Sequence, residues 1–230
     1  MKRKELCSSQ NRPVMKLQQI QIQTNNIQDT ETFYNDILGL KILEKKSDSL
    51  TIQAGSSILK FIENPEFDSI YHFAFNIPEN KLEEAIQWCA DKVDLIIIQD
   101  KRIIANFETW NANAVYFYDN NGNLLEFIAR HDLDNFQIKE FSSKSILNIS
   151  EIGIIDENPM ELGAELIEEY GLFFFAKNYN SENFAAIGDD EGLLIIVKPY
   201  RNWYPTEIPS KSNKIDLRIE NKGAKIELSF

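Results

Sequence analysis

The chain has 230 residues, 43% of them hydrophobic and 26% charged, with a formal net charge of −12. This is an ordinary composition for a globular chain, long enough for one large domain or two small ones. The acidic balance argues against nucleic acid, which needs Lys/Arg stripes, and no run of about 18 apolar residues reads as a membrane span.

Residues 1–14 are polar, carry Lys2, Arg3 and Lys4, and lack the apolar stretch of a secretory signal. They read as a disordered lead-in, with Met15 an alternative start. Cys7 and Cys89 are the only cysteines, too few for a disulfide framework, so a reducing cytoplasm is the expected setting. His72 and His131 are the only histidines, which excludes a three-histidine zinc site within one chain.

From Lys16 to Thr24 polar and apolar residues alternate, with Gln19, Gln21 and Gln23 on one side and Ile20 and Ile22 on the other, which predicts a strand. Phe33, Tyr34, Ile37 and Leu38 fall at helical spacing, so Ile27 to Leu38 reads as a helix closed by Gly39. Short strands follow at 41–45, 49–54 and 57–62. The pattern then recurs. A strand at 71–77 precedes a helix opened by Pro78, with Leu82, Ala85, Ile86 and Cys89 on its apolar face. Strands are expected at 95–100, 114–118 and 123–129, the last two joined by the turn Asp119-Asn120-Asn121-Gly122. A third pass has a strand at 151–155, a helix from Pro159 to Tyr170, and strands at 173–176, 184–187 and 193–198. After a loop bearing Pro205 and Pro209, only two strand-like stretches remain, 214–219 and 224–228. The period of roughly 50 to 60 residues is the most informative feature of the sequence.

The stretch LQQIQIQTNNIQDTETFYNDILGLKIL resembles the opening module of the vicinal-oxygen-chelate superfamily, which includes glyoxalases, bleomycin-resistance proteins and extradiol dioxygenases. YHFAFNIPENKLEEAIQW resembles the opening of that family's second module, and VYFYDNNGNLLEFIAR its closing hairpin. The resemblance implies an α+β fold of tandem βαβββ modules. Two modules, residues 15–132, would form a complete domain with a cleft. A third and a truncated fourth, residues 146–230, would form a shortened, degenerate copy.

By position, the family's ligand sites on the first, fourth, fifth and eighth strands correspond to Gln19, Lys60, His72 and Glu126, and the Leu-Gln-Gln opening is similar to that of glyoxalase I. The resemblance thus implies a divalent metal (Fe, Mn, Ni or Zn) on Gln19, His72 and Glu126, or no metal at all. Alternation independently puts each of these residues opposite the face that packs on helices. Lys60 departs from the family pattern, where glyoxalase I has a glutamate. An ammonium about 5 Å from a dication costs roughly 6 kcal/mol at an effective dielectric of ~20. A Lys60–Glu126 salt bridge is the competing reading, with Gln19 then an ordinary polar strand residue.

Lys60, Trp110, Tyr116 and Tyr118 are candidate substrate contacts, the aromatics as a stacking surface or as rim and interface residues. Trp203 and Tyr204 read as a lid or as packing, His131 as surface, and Glu165, Glu168 and Glu169 as a solvated helix face. Glu151 is the third unit's counterpart of Gln19. No histidine follows His131, so no second metal site is expected there. Three functions stay open: a metal-dependent dioxygenase or glyoxalase-like lyase with Glu126 as ligand and base, a metal-free small-molecule binder, and a scaffold. A small-molecule ligand is expected, with neither nucleic acid nor membrane as partner, and a homo-oligomer is compatible.

Overall fold

The computed structural model describes residues 14–230; the lead-in up to residue 13, with Cys7, lies outside the described residues. The first unit comprises β1 (Met15–Thr24), α1 (Ile27–Glu31), β2 (Lys41–Lys45), β3 (Ser49–Ala54) and β4 (Ser57–Glu63). The Asn26 side chain accepts from the Gln28 and Asp29 amides and so starts α1. The chain continues as a π-helical turn, Thr32–Ile37, where the sequence predicts an unbroken α-helix. Gly39 then reverses the chain at φ +68°.

The second unit comprises β5 (His72–Ile77), α2 (Leu82–Cys89), β6 (Ala105–Phe107), β7 (Ala112–Tyr118) and β8 (Leu124–Arg130). The strand expected at 95–100 does not form. Asp100 and Lys101 adopt φ of 60° and 61°, which breaks any extended run, and Ile97 is 67% exposed. The short β6 pairs with β7 instead. Between β7 and β8, Asp119 Oδ1 accepts from the amides of Asn121 and Asn123, and Tyr34 donates to Asp119 Oδ2 at 2.6 Å. That buried bond ties the first helix to the second unit's hairpin.

The third unit comprises β9 (Asn148–Ile155), α3 (Pro159–Tyr170), β10 (Phe184–Asp189) and β11 (Gly192–Val197). Of the strand expected at 173–176, only an isolated bridge, Phe174 to Ile187, is present. The chain ends in the hairpin β12 (Asp216–Asn221) and β13 (Ala224–Ser229).

These strands build two sheets, ordered β13-β12-β1-β4-β3-β2 and β10-β11-β9-β5-β8-β7-β6. The first unit therefore shares its sheet with the terminal hairpin, and the second shares its sheet with the third. This corrects the expectation that the first two units close a cleft together, and each sheet draws on both sides of the 132–146 connection. A buried apolar core spans residues of both sheets. A second, smaller cluster, including Ala74, Ala114, Tyr116, Leu124, Phe175 and Trp203, covers one face of the seven-stranded sheet. Among the described residues, no helix is long and apolar enough to cross a membrane.

Candidate functional site

The face beneath that second cluster carries the chemistry. In β5, Phe73 and Phe75 point into the main core, so His72 and Ala74 face the other way. In β8, Leu125 and Phe127 are core, which puts Glu126 on the face of His72, since Ala74 is its register partner. In β9, simple alternation would give Glu151 the side of Ile149. The register against β5 instead shifts between Ala74 and Phe75, so Ile149 and Ile152 both enter the core while Glu151 lies opposite Ala74. The irregularity in β9 is what delivers the second carboxylate.

His72, Glu126 and Glu151 are all buried, and each offers a ligand atom within 4.8 Å of the others. His72 Nδ1 lies 3.0 Å from the Leu124 carbonyl. A proton on Nδ1 satisfies that carbonyl and leaves Nε2 as a lone-pair donor, 3.9 Å from Glu126 Oε2. Burial lowers the His72 pKa to about 4, so the ring is neutral near neutral pH. Burial, and then the neighbouring Glu151 charge, raise the Glu126 pKa well above the carboxylate range, opposed by Arg130 and by the Tyr116 hydroxyl. Burial also raises that of Glu151, with Arg130 opposing. Glu126 Oε1 is buried with no hydrogen-bond partner. An orphaned buried carboxylate oxygen, a free imidazole nitrogen and a second carboxylate are donors of the kind that can hold a divalent cation.

Arg130, fully buried, holds Glu151 in place. Its guanidinium binds Glu151 Oε1, reaches Asn76 Oδ1 at 3.2 Å and pairs with Asp190 at 3.4 Å. Lys177 continues the chain of charges, at 2.6 Å from Asp190 and 2.7 Å from Asp132.

Above the cluster lies a cavity of about 250 Å³. Its walls include Trp110, Tyr116, Phe184, Ile195, Arg201 and Trp203. The last two come from the connection between β11 and β12, which is ordered by its own backbone bonds: Trp203 to Ile208, Tyr200 to Ser210, and Ser210 to Arg201. The Trp203 ring lies 5.0 Å from that of His72. Gly153 makes room for it, since a Cβ there would sit 2.4 Å from the indole.

The sequence-predicted set is thus divided. His72, Glu126, Trp110 and Tyr116 come together in this pocket. Gln19 does not join them; it lies on β1 of the other sheet, in a polar groove with Gln21, Asp216 and Arg218. Lys60 is on β4 of that same sheet, beside Gln21 in register, and the Lys60–Glu126 ion pair is not formed. Tyr118 is 37% exposed and does not line the pocket. His131 is exposed, near Asn113 and Glu79.

Glu151, Arg130 and Arg201 were not among the expected site residues. Glu151 was recognisable as the third unit's counterpart of Gln19, and register supports that equivalence, because β1 shifts register against β12 between Leu17 and Gln19. The same register logic extends to the fourth strands. Gln21 pairs with Lys60, Ala74 with Glu126 and Gly153 with Ile195. Ile195 therefore occupies the fourth ligand-bearing position, and that side of the cluster is apolar.

Residues 16–127 match a family model described as the Glyoxalase/Bleomycin resistance protein/Dioxygenase superfamily. Among solved structures, a candidate dioxygenase from Bacillus subtilis aligns with a TM-score of 0.59 at 15% identity, covering 92% of this chain and 68% of its own. Glyoxalase I from Zea mays aligns at 0.58 and 13% identity, covering 91% and 75% respectively. At these identities the likeness is one of fold. Among curated proteins, none matches the sequence significantly.

Proposed function

We propose, from the match of residues 16–127 to the glyoxalase/bleomycin-resistance/dioxygenase superfamily and from the geometry of the cluster, that His72, Glu126 and Glu151 hold a divalent metal beneath a pocket for a small oxygen-bearing molecule. The observation that carries this reading is the convergence of one neutral imidazole and two buried carboxylates, one with an unpartnered oxygen. One nitrogen and two carboxylate donors favour Mn(II) or Fe(II) over softer ions, with Ni(II) and Zn(II) as competitors. When bound, the metal would act as a Lewis acid toward substrate oxygens.

The chain's own contributions are separate. Trp203 and Tyr116, both buried, wall the pocket, and the Tyr116 hydroxyl, held protonated by burial and by Glu126, faces that carboxylate. Arg130 fixes Glu151. Glu126 is the group that accepts or holds a proton beside the substrate. The reaction class within the superfamily is a lyase or a ring-cleaving dioxygenase.

Bound metal per chain, measured by elemental mass spectrometry on protein purified without a His tag or chelator, tests this. Near-stoichiometric metal in the wild type and in Gln19→Ala, lost in His72→Ala and Glu126→Gln, is expected. Metal that survives His72→Ala, or that depends on Gln19, would overturn the assignment. A metal-free binder is the second reading, favoured by one observation: Arg130 already neutralises Glu151. Absence of metal after reconstitution, with ligand binding retained, would select it.

A further inference from the structure

The pocket that covers the cluster has a polarity of its own. Its walls are mainly aromatic: Phe107, Trp110, Tyr116, Phe184, Trp203 and Tyr204. Its volume, about 250 Å³, is just below the roughly 300 Å³ at which pockets for drug-sized molecules begin. A single ring with short substituents fits within that volume.

One cation enters this space unpaired. Arg130 is committed to Glu151 and Asp190, and Lys177 to Asp190 and Asp132. Arg201, also a wall residue, forms no ion pair among the described residues. Its guanidinium lies 5.0 Å from the centre of the Phe184 ring, and its one side-chain hydrogen bond is a long one, 3.5 Å, to the Asn202 carbonyl. The Phe184 contact and the Asn202 bond leave most of its donors without a partner among the described residues, and such a guanidinium receives a carboxylate or another planar oxyanion. His72 and Arg201 both line this cavity and so face a common space.

We infer that this pocket selects a single-ring aromatic ligand bearing an anionic group, with the ring among Trp203, Tyr116 and Trp110 and the anion on Arg201. The inference rests on the reading of the pocket as a small-molecule site, but not on the metal. Arg201 acts as a specificity residue: it distinguishes an acid from its neutral isostere.

Benzoate and benzamide are the probes, since they differ in charge and hardly in shape. Binding is followed by quenching of the intrinsic tryptophan fluorescence, because Trp110 and Trp203 both line the cavity. Titrations are run on the protein as isolated and again after chelation, so that a carboxylate captured by metal is separated from one captured by Arg201. The wild type is expected to bind benzoate on the order of tenfold or more tightly than benzamide in both states. Arg201→Gln is expected to abolish that preference while keeping benzamide binding, and Arg201→Lys to retain part of it. Unchanged preference in Arg201→Gln, or preference that disappears on chelation, would overturn the role of Arg201. Failure of both probes to bind would overturn the ring-sized pocket. Elemental analysis of the same samples reports separately on the metal, so failure of one reading does not masquerade as failure of the other.

Discussion

Single side chains decide what this pocket can hold. Glu126 carries the strongest pH consequence. Its pKa is raised by burial and by Glu151, so the metal-free site retains a proton that a cation must displace. His72, with a pKa lowered to about 4, competes for protons only in acid. Metal affinity therefore rises with pH through the range in which Glu126 titrates, and binding releases a proton. Calorimetry in buffers of different ionisation enthalpy measures that release; a heat of metal binding that varies with the buffer's ionisation enthalpy is expected in the wild type, and a buffer-independent heat would contradict it. Gly153 is the other decisive residue. A methyl group there collides with Trp203, and Gly153→Ala is expected to cost about 1–3 kcal/mol. Chemical denaturation should show the cost relieved when Trp203→Leu is combined with it; additive losses would mean the two do not meet. The nature of His72 and Glu126 was legible in the sequence because strand alternation holds across β5 and β8. Glu151 was legible as the counterpart of Gln19, but not as a neighbour of His72, because that depends on an irregularity in β9 and on the pairing of β9 with β5.

At the level of elements, β5, β8 and β9 meet through Arg130. It is fully buried, and its partners Asn76, Glu151 and Asp190 come from three different stretches of chain. Removing it strands the Glu151 carboxylate in a dry site. Arg130→Met is expected to destabilise the metal-free protein by about 3–5 kcal/mol. Added metal should restore more stability to this variant than to the wild type, since a dication replaces the missing charge. Equal thermal shifts on metal addition would contradict that compensation. The helices and most strands were readable from periodicity and turn residues: the Asp119–Gly122 turn, Gly39 after the first helix, and Pro159 opening α3 all lie where expected. The stretch from 95 to 101 was not, since its apolar run, Leu95 to Ile98, suggested a strand while the left-handed Asp100 and Lys101 end it.

At the scale of the whole molecule, the arrangement of units is what a linear reading missed. Sequence neighbours suggested that the first and second units face each other. The structure instead pairs β1 with β12 and β5 with β9. Which unit pairs with which is decided by edge-to-edge contacts between residues more than 70 positions apart, such as Ala74 with Glu151, and nothing local encodes them. The polar groove with Gln19 and the buried cluster with His72 consequently lie on different sheets. A chain ended after His131 would leave β1 and β5 with unpaired edges and lack both Glu151 and Trp203. It is expected to self-associate in size-exclusion chromatography and to bind no metal, whereas a monomeric, metal-loaded fragment would contradict the division of labour between the sheets. The central claim concerns where a cation sits, and the most direct measurement is an anomalous difference map from crystals of the full chain grown with Mn(II). The account predicts one strong peak bounded by His72 Nε2, Glu126 and Glu151. A peak in the Gln19–Asp216 groove, or none at the cluster with the Arg130–Glu151 pair intact, would contradict it.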